Sequence, residues 1–93
     1  MNYSWDETKR QANKQIHGLD FAGIVRFQWK TAVLRPTYSG RFGSRRFMAI
    51  GRLDDDLVAG VFASLGREAI SIVSLRRANR QERREYEQSQ GYS

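Results

Sequence analysis

The chain has 93 residues, and its hydrophobic share of 40% is typical of one small folded domain, residues 1–93, rather than of a disordered chain. It contains no cysteine, which excludes disulfides and thiolate metal sites, and no run of about 18 apolar residues that could span a membrane. A net charge of +6 favours a partner rich in phosphate or carboxylate, with a merely solvated basic surface as the plainer alternative.

The first predicted element is a short strand or lead-in at residues 3–5, followed by a helix. Asp6 is a suitable N-cap, the helix covers ETKRQANKQIH (residues 7–17), and Gly18 ends it as a C-cap residue. Trp5, Ala12 and Ile16 form the apolar stripe that we expect this helix to bury.

A polar stripe lies beside the apolar one on the same predicted helix. Lys9, Asn13 and His17 are spaced by four residues and therefore share a helix face. Asp20 can then cap a second, short helix over about residues 21–27. Two N-terminal helices are thus expected before the pattern changes from helical to strand-like.

Alternating apolar and polar residues predict four strands joined as an antiparallel meander. They cover about residues 31–35, 45–53, 57–64 and 69–75. A loop with two glycines, TYSGRFGS (residues 37–44), separates the first two, and the DDD run at 54–56 makes a tight turn. In the second strand one face holds Arg46, Met48, Ile50 and Arg52; in the last, Ile70 and Ile72 oppose Val73 and Leu75.

Five arginines fall within residues 76–84, between the last strand and the final predicted helix. Asn79 and Glu82 have the spacing of a capping box, and the helix runs over about residues 80–88 with Tyr86 as its apolar residue. The predicted fold is therefore α+β: two N-terminal helices, a four-stranded antiparallel sheet and a C-terminal helix, with the helices on one face of the sheet.

The reactive side chains favour one chemistry above others. One histidine and no cysteine make a metal centre improbable, and the three adjacent acids are read as a solvated turn. Arginine, lysine, tyrosine and a single histidine can cleave RNA without metal, since that reaction needs proton transfer and cations for the developing phosphorane charge. Plainer roles stay open: His17 as a helix cap, Tyr86 as a packing residue, and the arginines as a solvated face.

Two separated motifs resemble those of a known family. The opening WDETKRQANKQIHGLDF fits the pattern W-D-x-x-K-x-x-x-N-x-x-x-H-G-x-x-F, and the stretch ISIVSLRRANRQERREYE fits I-S-x-R-x-A-x-x-x-E-R-x-x-Y with Val73 in place of Ile. The middle stretch RRFMAIGRLDDDLVAGVF also matches. On these residues the chain resembles the BrnT family, the ribonuclease halves of BrnT–BrnA toxin–antitoxin pairs, over nearly its whole length.

The resemblance implies a RelE-like fold and a cytoplasmic toxin that inhibits translation by RNA cleavage without metal or cofactor. It also implies a ribbon-helix-helix antitoxin of BrnA type, through which alone operator DNA would be contacted. A homodimer and a heterotetramer with the antitoxin both stay open. From charge, side-chain chemistry and placement in the predicted elements we assign catalysis to Arg76, Tyr86, Lys9, His17 and Arg46, and RNA binding to Arg77, Arg80, Arg83, Arg45 and Arg52. We expect Arg46, Arg76 and Arg77 to converge with Tyr86 and Lys9 on one face, close to His17.

The chain departs from the family pattern at two cations. Ile16 stands where the family usually has Lys, and Ser71 stands where it usually has Arg. The alternative reading is therefore a catalytically decayed module that binds nucleic acid or an acidic protein.

Overall fold

The computed structural model of the protein describes residues 2–37 and 45–91, so the predicted loop at 37–44 lies, apart from Thr37, outside the described residues. The elements in chain order are β1 (Asn2–Trp5), α1 (Glu7–His17), two 3₁₀ segments (Phe21–Arg26 and Trp29–Thr31), β2 (Val33–Pro36), β3 (Arg46–Leu53), β4 (Asp56–Leu65), β5 (Ala69–Arg77) and α2 (Arg80–Ser89). No helix among the described residues is long and apolar enough to cross a membrane.

The sheet has five strands in the order β1-β5-β4-β3-β2. Strands β2 to β5 form the predicted antiparallel meander. The expected four-stranded antiparallel sheet is nevertheless wrong, because β1 adds to the edge of β5 in parallel, from Asn2 opposite Ala69 to Trp5 opposite Ile72. Four residues are too few to show a period, so the sequence left this segment as a strand or a lead-in.

A β-bulge in β5 changes which residues share a face. Val61 of β4 pairs with Ser74, whereas the next residue, Phe62, pairs with Ile72, so Val73 is the extra residue. Ile72 and Leu75 are therefore buried in the same core cluster. The prediction that they lie on opposite faces is wrong because it assumed an uninterrupted period of two.

Helices cover both faces of the sheet rather than one. The larger cluster centres on Phe62 and includes Phe21 and Ile24 from the first 3₁₀ segment. On the other face, Tyr86 of α2 packs with Ile50, among others. The one-face prediction is wrong, and the second predicted helix is a 3₁₀ segment capped by Asp20 as expected.

The buried residue of α1 is polar, which corrects the predicted stripe at Ala12 and Ile16, whereas Trp5 packs against the core as expected. Ile16 is 73% exposed and Ala12 is exposed, whereas Asn13 is 6% exposed. Its amide accepts from the backbone N–H of Leu75 (3.1 Å) and donates to the carbonyls of Leu75 (2.9 Å) and Leu19 (3.0 Å). Strand β1 pairs with β5 only as far as Ile72, so the Asn13 amide replaces a strand partner beyond that point.

Candidate nucleic-acid interface

One part of the sheet face on the α2 side carries polar and apolar residues of intermediate exposure. Strand pairing places one arginine and four smaller residues together there, and we call them the half-exposed face: Arg46, Met48, Val61, Ser71 and Ser74. Arg46 is exposed and the other four are partly buried. α2 packs on the neighbouring part of the same face, around Ile50 and Ala59.

Arg46 and Arg76 lie at opposite ends of the half-exposed face. Arg46 is opposite Ala63 and Arg76 is opposite Ala59, both on β4, with β3 and β5 on either side of it. Strand geometry puts their α-carbons about 16 Å apart. The two guanidinium groups therefore share a face, as predicted, but flank it rather than meet at one point. Ser71, where the family usually has Arg, lies on the same face.

Arg76 is held by a buried carboxylate. Its Nη1 donates to Oε1 of Glu82 (2.7 Å) and its Nη2 to Oε2 (2.8 Å), and the Glu82 side chain is 6% exposed. Oε1 also accepts from the backbone N–H of Asn79 (2.8 Å), completing the predicted capping box of α2. The hydrogen bond from Arg76 is the main cause that lowers the pKa of Glu82, and burial opposes it. The pair fixes the start of α2 onto β5.

Arg77 points to the opposite side of the sheet from Arg76, because successive strand residues alternate. Its Nη1 donates to the carbonyl of His17 (3.0 Å), and its Nη2 lies 3.5 Å from Asp56. Arg77 thus caps the C-terminus of α1, where the helix dipole favours a cation. The prediction that Arg77 converges with Arg46 and Arg76 is wrong.

Lys9 and His17 lie on α1, which runs alongside β5. Within residues 2–37 and 45–91, no hydrogen bond or ion pair joins either side chain to Arg46, Arg76 or Tyr86. Of the predicted arginines, Arg77 contacts this helix, through the backbone carbonyl of His17. The predicted single constellation is therefore two separate groups.

Tyr86 is a packing residue in this structure. It is 7% exposed, and its hydroxyl donates to Thr31 Oγ1 over a long 3.4 Å. The ring forms part of the wall of a cleft of about 410 Å³, whose other residues are Arg52, Asp55, Asp56, Leu57, Arg83 and Glu87. Two of the predicted RNA-binding arginines thus meet in this cleft, beside three carboxylates.

Three of the predicted RNA-binding residues, Arg83 among them, are exposed. Arg45 precedes β3, and Arg80 and Arg83 lie on α2. Within the part of the chain that the structure describes, no carboxylate lies within 4.0 Å of their guanidinium groups. They are therefore available to an anionic partner, in contrast to Arg77.

Sequence reasoning missed two features of this surface. Glu82 was recognised as a capping residue, but its partner Arg76 lies six positions away in another element. Ser71 and Ser74 were not expected to share a face, because the bulge between them leaves no mark in the alternation. Across residues 2–37 and 45–91, no group of three or more His, Cys, Asp or Glu side chains could hold a metal ion.

Comparisons with known proteins agree with this architecture. A family model described as "Ribonuclease toxin, BrnT, of type II toxin-antitoxin system" matches residues 5–82. The crystal structure of the Brucella abortus ribonuclease toxin BrnT superposes with a TM-score of 0.71 at 38% sequence identity, covering 86% of this chain and 99% of that chain. No curated protein matches the sequence. The chain belongs to the BrnT family of ribonuclease toxins of type II toxin–antitoxin systems.

Proposed function

We propose that this protein cleaves RNA without a metal ion at the half-exposed face, and that it inhibits translation in the cytoplasm by doing so. The observation that carries the proposal is a partly buried sheet face with two serines and an arginine at each end, Arg46 and Arg76. Guanidinium groups at both ends can hold two phosphates of one strand or neutralise the phosphorane charge.

Arg46 is the residue that we assign to charge stabilisation. Arg46→Ala should lower the rate of RNA cleavage by roughly 10²- to 10³-fold, as removal of one such donor does in other enzymes. Arg46→Lys should retain part of the rate, since the charge stays and the two-pronged geometry is lost. Cleavage is measured on a fluorescently labelled RNA of mixed sequence.

Arg26→Ala is the matched control for Arg46→Ala. It removes the same side chain from the 3₁₀ segment on the other face of the sheet, where Arg26 pairs with Asp54 (2.8 Å) and is 58% exposed. The rate should stay within about threefold, because an exposed ion pair contributes little. Equal losses in both variants would contradict a site on the half-exposed face.

Metal independence is tested separately. Cleavage by the purified protein should be unchanged when EDTA replaces magnesium, because arginine side chains supply the positive charge. Activity that disappears with EDTA and returns with Mg²⁺ would contradict the proposal, whichever face binds the RNA.

A ribbon-helix-helix antitoxin is the partner that we propose for the same surface. The exposed cations Arg45, Arg46 and Arg80 fit an acidic segment, which would block RNA by occupying its phosphate sites. We propose a heterotetramer that contacts operator DNA only through the antitoxin. Co-expression with the neighbouring gene product should give a complex that no longer cleaves RNA, and an active complex would contradict this arrangement.

A binding module without catalysis is the second candidate, and Ser71 favours it. The family cation is absent at this position on the half-exposed face, and the face offers no His, Lys, Asp or Glu as a general base within its defined residues. Retention of labelled RNA without cleavage, by a protein whose fold is intact, would establish this alternative.

A further inference from the structure

We propose that Glu82 is a positioning residue for RNA: it orients Arg76 so that one edge of the guanidinium faces a single phosphate. This inference rests on the proposed RNA-cleaving function. Without it, the position of Glu82 would be explained by its role in the capping box of α2 alone.

The hydrogen bonds of Arg76 show which edge is free. A guanidinium has five N–H groups in one plane. Glu82 accepts one from Nη1 and one from Nη2, and the backbone carbonyl of Arg77 accepts a second from Nη1 at 3.3 Å. The two that have no acceptor among the described residues are Nε–H and the outer N–H of Nη2, which lie side by side along one edge.

That edge matches a phosphate. Two parallel N–H groups donate to two oxygens of one anion, which is the two-pronged geometry that arginine provides and lysine does not. The Arg76 side chain is 35% exposed although its partner is buried, so a ligand can reach it. Ser74, two residues earlier on the same strand, places a hydroxyl on the same face.

The Glu82 carboxylate is itself held in one position. Its carboxylate is buried and also accepts from the backbone N–H of Asn79, which fixes one oxygen. The guanidinium plane is consequently set before RNA arrives, and little side-chain freedom is left to lose on binding. A small misplacement of such a group can cost about 10²-fold in rate.

Glu82→Gln is the variant that separates positioning from capping. A glutamine still suits a capping box, but its amide nitrogen meets an N–H of Arg76 and breaks the two-pronged contact. We expect kcat for RNA cleavage to fall about 10- to 100-fold with KM changed less than threefold. Asn79→Ala is the matched control: it removes the N-cap side chain that accepts from Glu82 N (2.9 Å) and leaves Arg76 paired with Glu82. Its kcat should stay within threefold of wild type at equal folded fraction by circular dichroism.

A second measurement uses the wild-type protein and needs no catalysis. The ¹⁵Nε–H resonance of Arg76, assigned by its loss in Arg76→Lys, should shift when a 2′-O-methyl RNA oligonucleotide of mixed sequence is added. An unmoved resonance while that oligonucleotide binds would overturn the proposal, as would equal kcat values for Glu82→Gln and Asn79→Ala. If the wild type binds but does not cleave RNA, the proposed catalytic function fails, and the Nε–H shift compared between wild type and Glu82→Gln decides the role of Glu82: equal shifts in the two proteins would overturn it.

Discussion

A single amide shows how one polar residue can hold an edge of the sheet. Asn13 has both a donor and an acceptor, so it can bond the N–H and the carbonyl of Leu75 as a neighbouring strand would. A carboxylate would offer no donor, and an apolar side chain would offer neither. The residue after Leu75 is Arg76, so the Asn13 contact also fixes the end of β5 at one margin of the half-exposed face.

Removal of the Asn13 amide should lower the stability of the fold strongly, although only a few atoms are lost. Asn13→Ala leaves three buried backbone groups without a partner, and each such group costs about 1–3 kcal/mol. We expect the free energy of unfolding in urea to fall by at least about 3 kcal/mol, which is three times the smallest of these costs. Gln11→Ala, an exposed change on the same helix, is the control, and a loss below about 0.5 kcal/mol for Asn13→Ala would contradict this account.

At the scale of elements, charged pairs join α1 to the 3₁₀ segment that follows it. Arg10 of α1 donates to both carboxylate oxygens of Asp20 (2.8 and 3.0 Å), and Asp20 also accepts from the backbone N–H of Ala22 (2.9 Å). The Arg10 hydrogen bond is the largest cause that lowers the pKa of Asp20 to about 2. The orientation of the two elements therefore depends on the charged form of one carboxyl group.

This coupling predicts an acid-sensitive contribution to stability. Because folding lowers the pKa of Asp20 from 3.8 to about 2, its contribution is complete above the unfolded value and is lost as pH falls through the folded value. The urea midpoints of wild type and Asp20→Asn should differ most at pH 5–7 and converge toward pH 2. Asp55→Asn is the control, and a difference that persists unchanged at pH 2 would contradict the assignment.

At the scale of the whole molecule, the 16 lysines and arginines include both paired and available cations. Arg10, Arg26, Arg35, Arg76 and Arg77 each lie within 4.0 Å of a carboxylate. The exposed arginines before β3 and on α2 remain for a partner. The cation density of the sequence therefore overstates the charge offered to RNA, because tertiary ion pairs use part of it.

The affinity for single-stranded RNA should follow the available cations. Each neutralised phosphate adds about 0.7 to the slope of log affinity against log salt. Arg80→Ala and Arg83→Ala should each flatten that slope by about 0.7, and Arg26→Ala, on the other face, should not. The measurement is fluorescence anisotropy of a labelled 2′-O-methyl RNA between 50 and 200 mM salt, roughly the range over which such contacts are lost. An affinity indifferent to salt would exclude phosphate binding.

The sequence by itself determined the order and approximate bounds of α1, the meander and α2, since these follow from period, caps and turns within a few residues. It also determined the family, because two motifs keep their residues and spacing. Asp6, Gly18, Asp20, Asn79 and Glu82 cap the elements as their positions predicted. Each of these contacts spans no more than four residues, so local sequence is sufficient to specify it.

Only the tertiary structure decided how the functional side chains are grouped. The parallel pairing of β1 with β5 joins residues 67 positions apart, and the bulge at Val73 shifts which side chains share a face. The bulge places Ser71 on the same face as Arg46 and Arg76, whereas the separation of Arg76 from Arg77 follows from strand alternation alone. Such placements depend on contacts between distant segments, whose free energy outweighs local preference and leaves no periodic mark in the sequence.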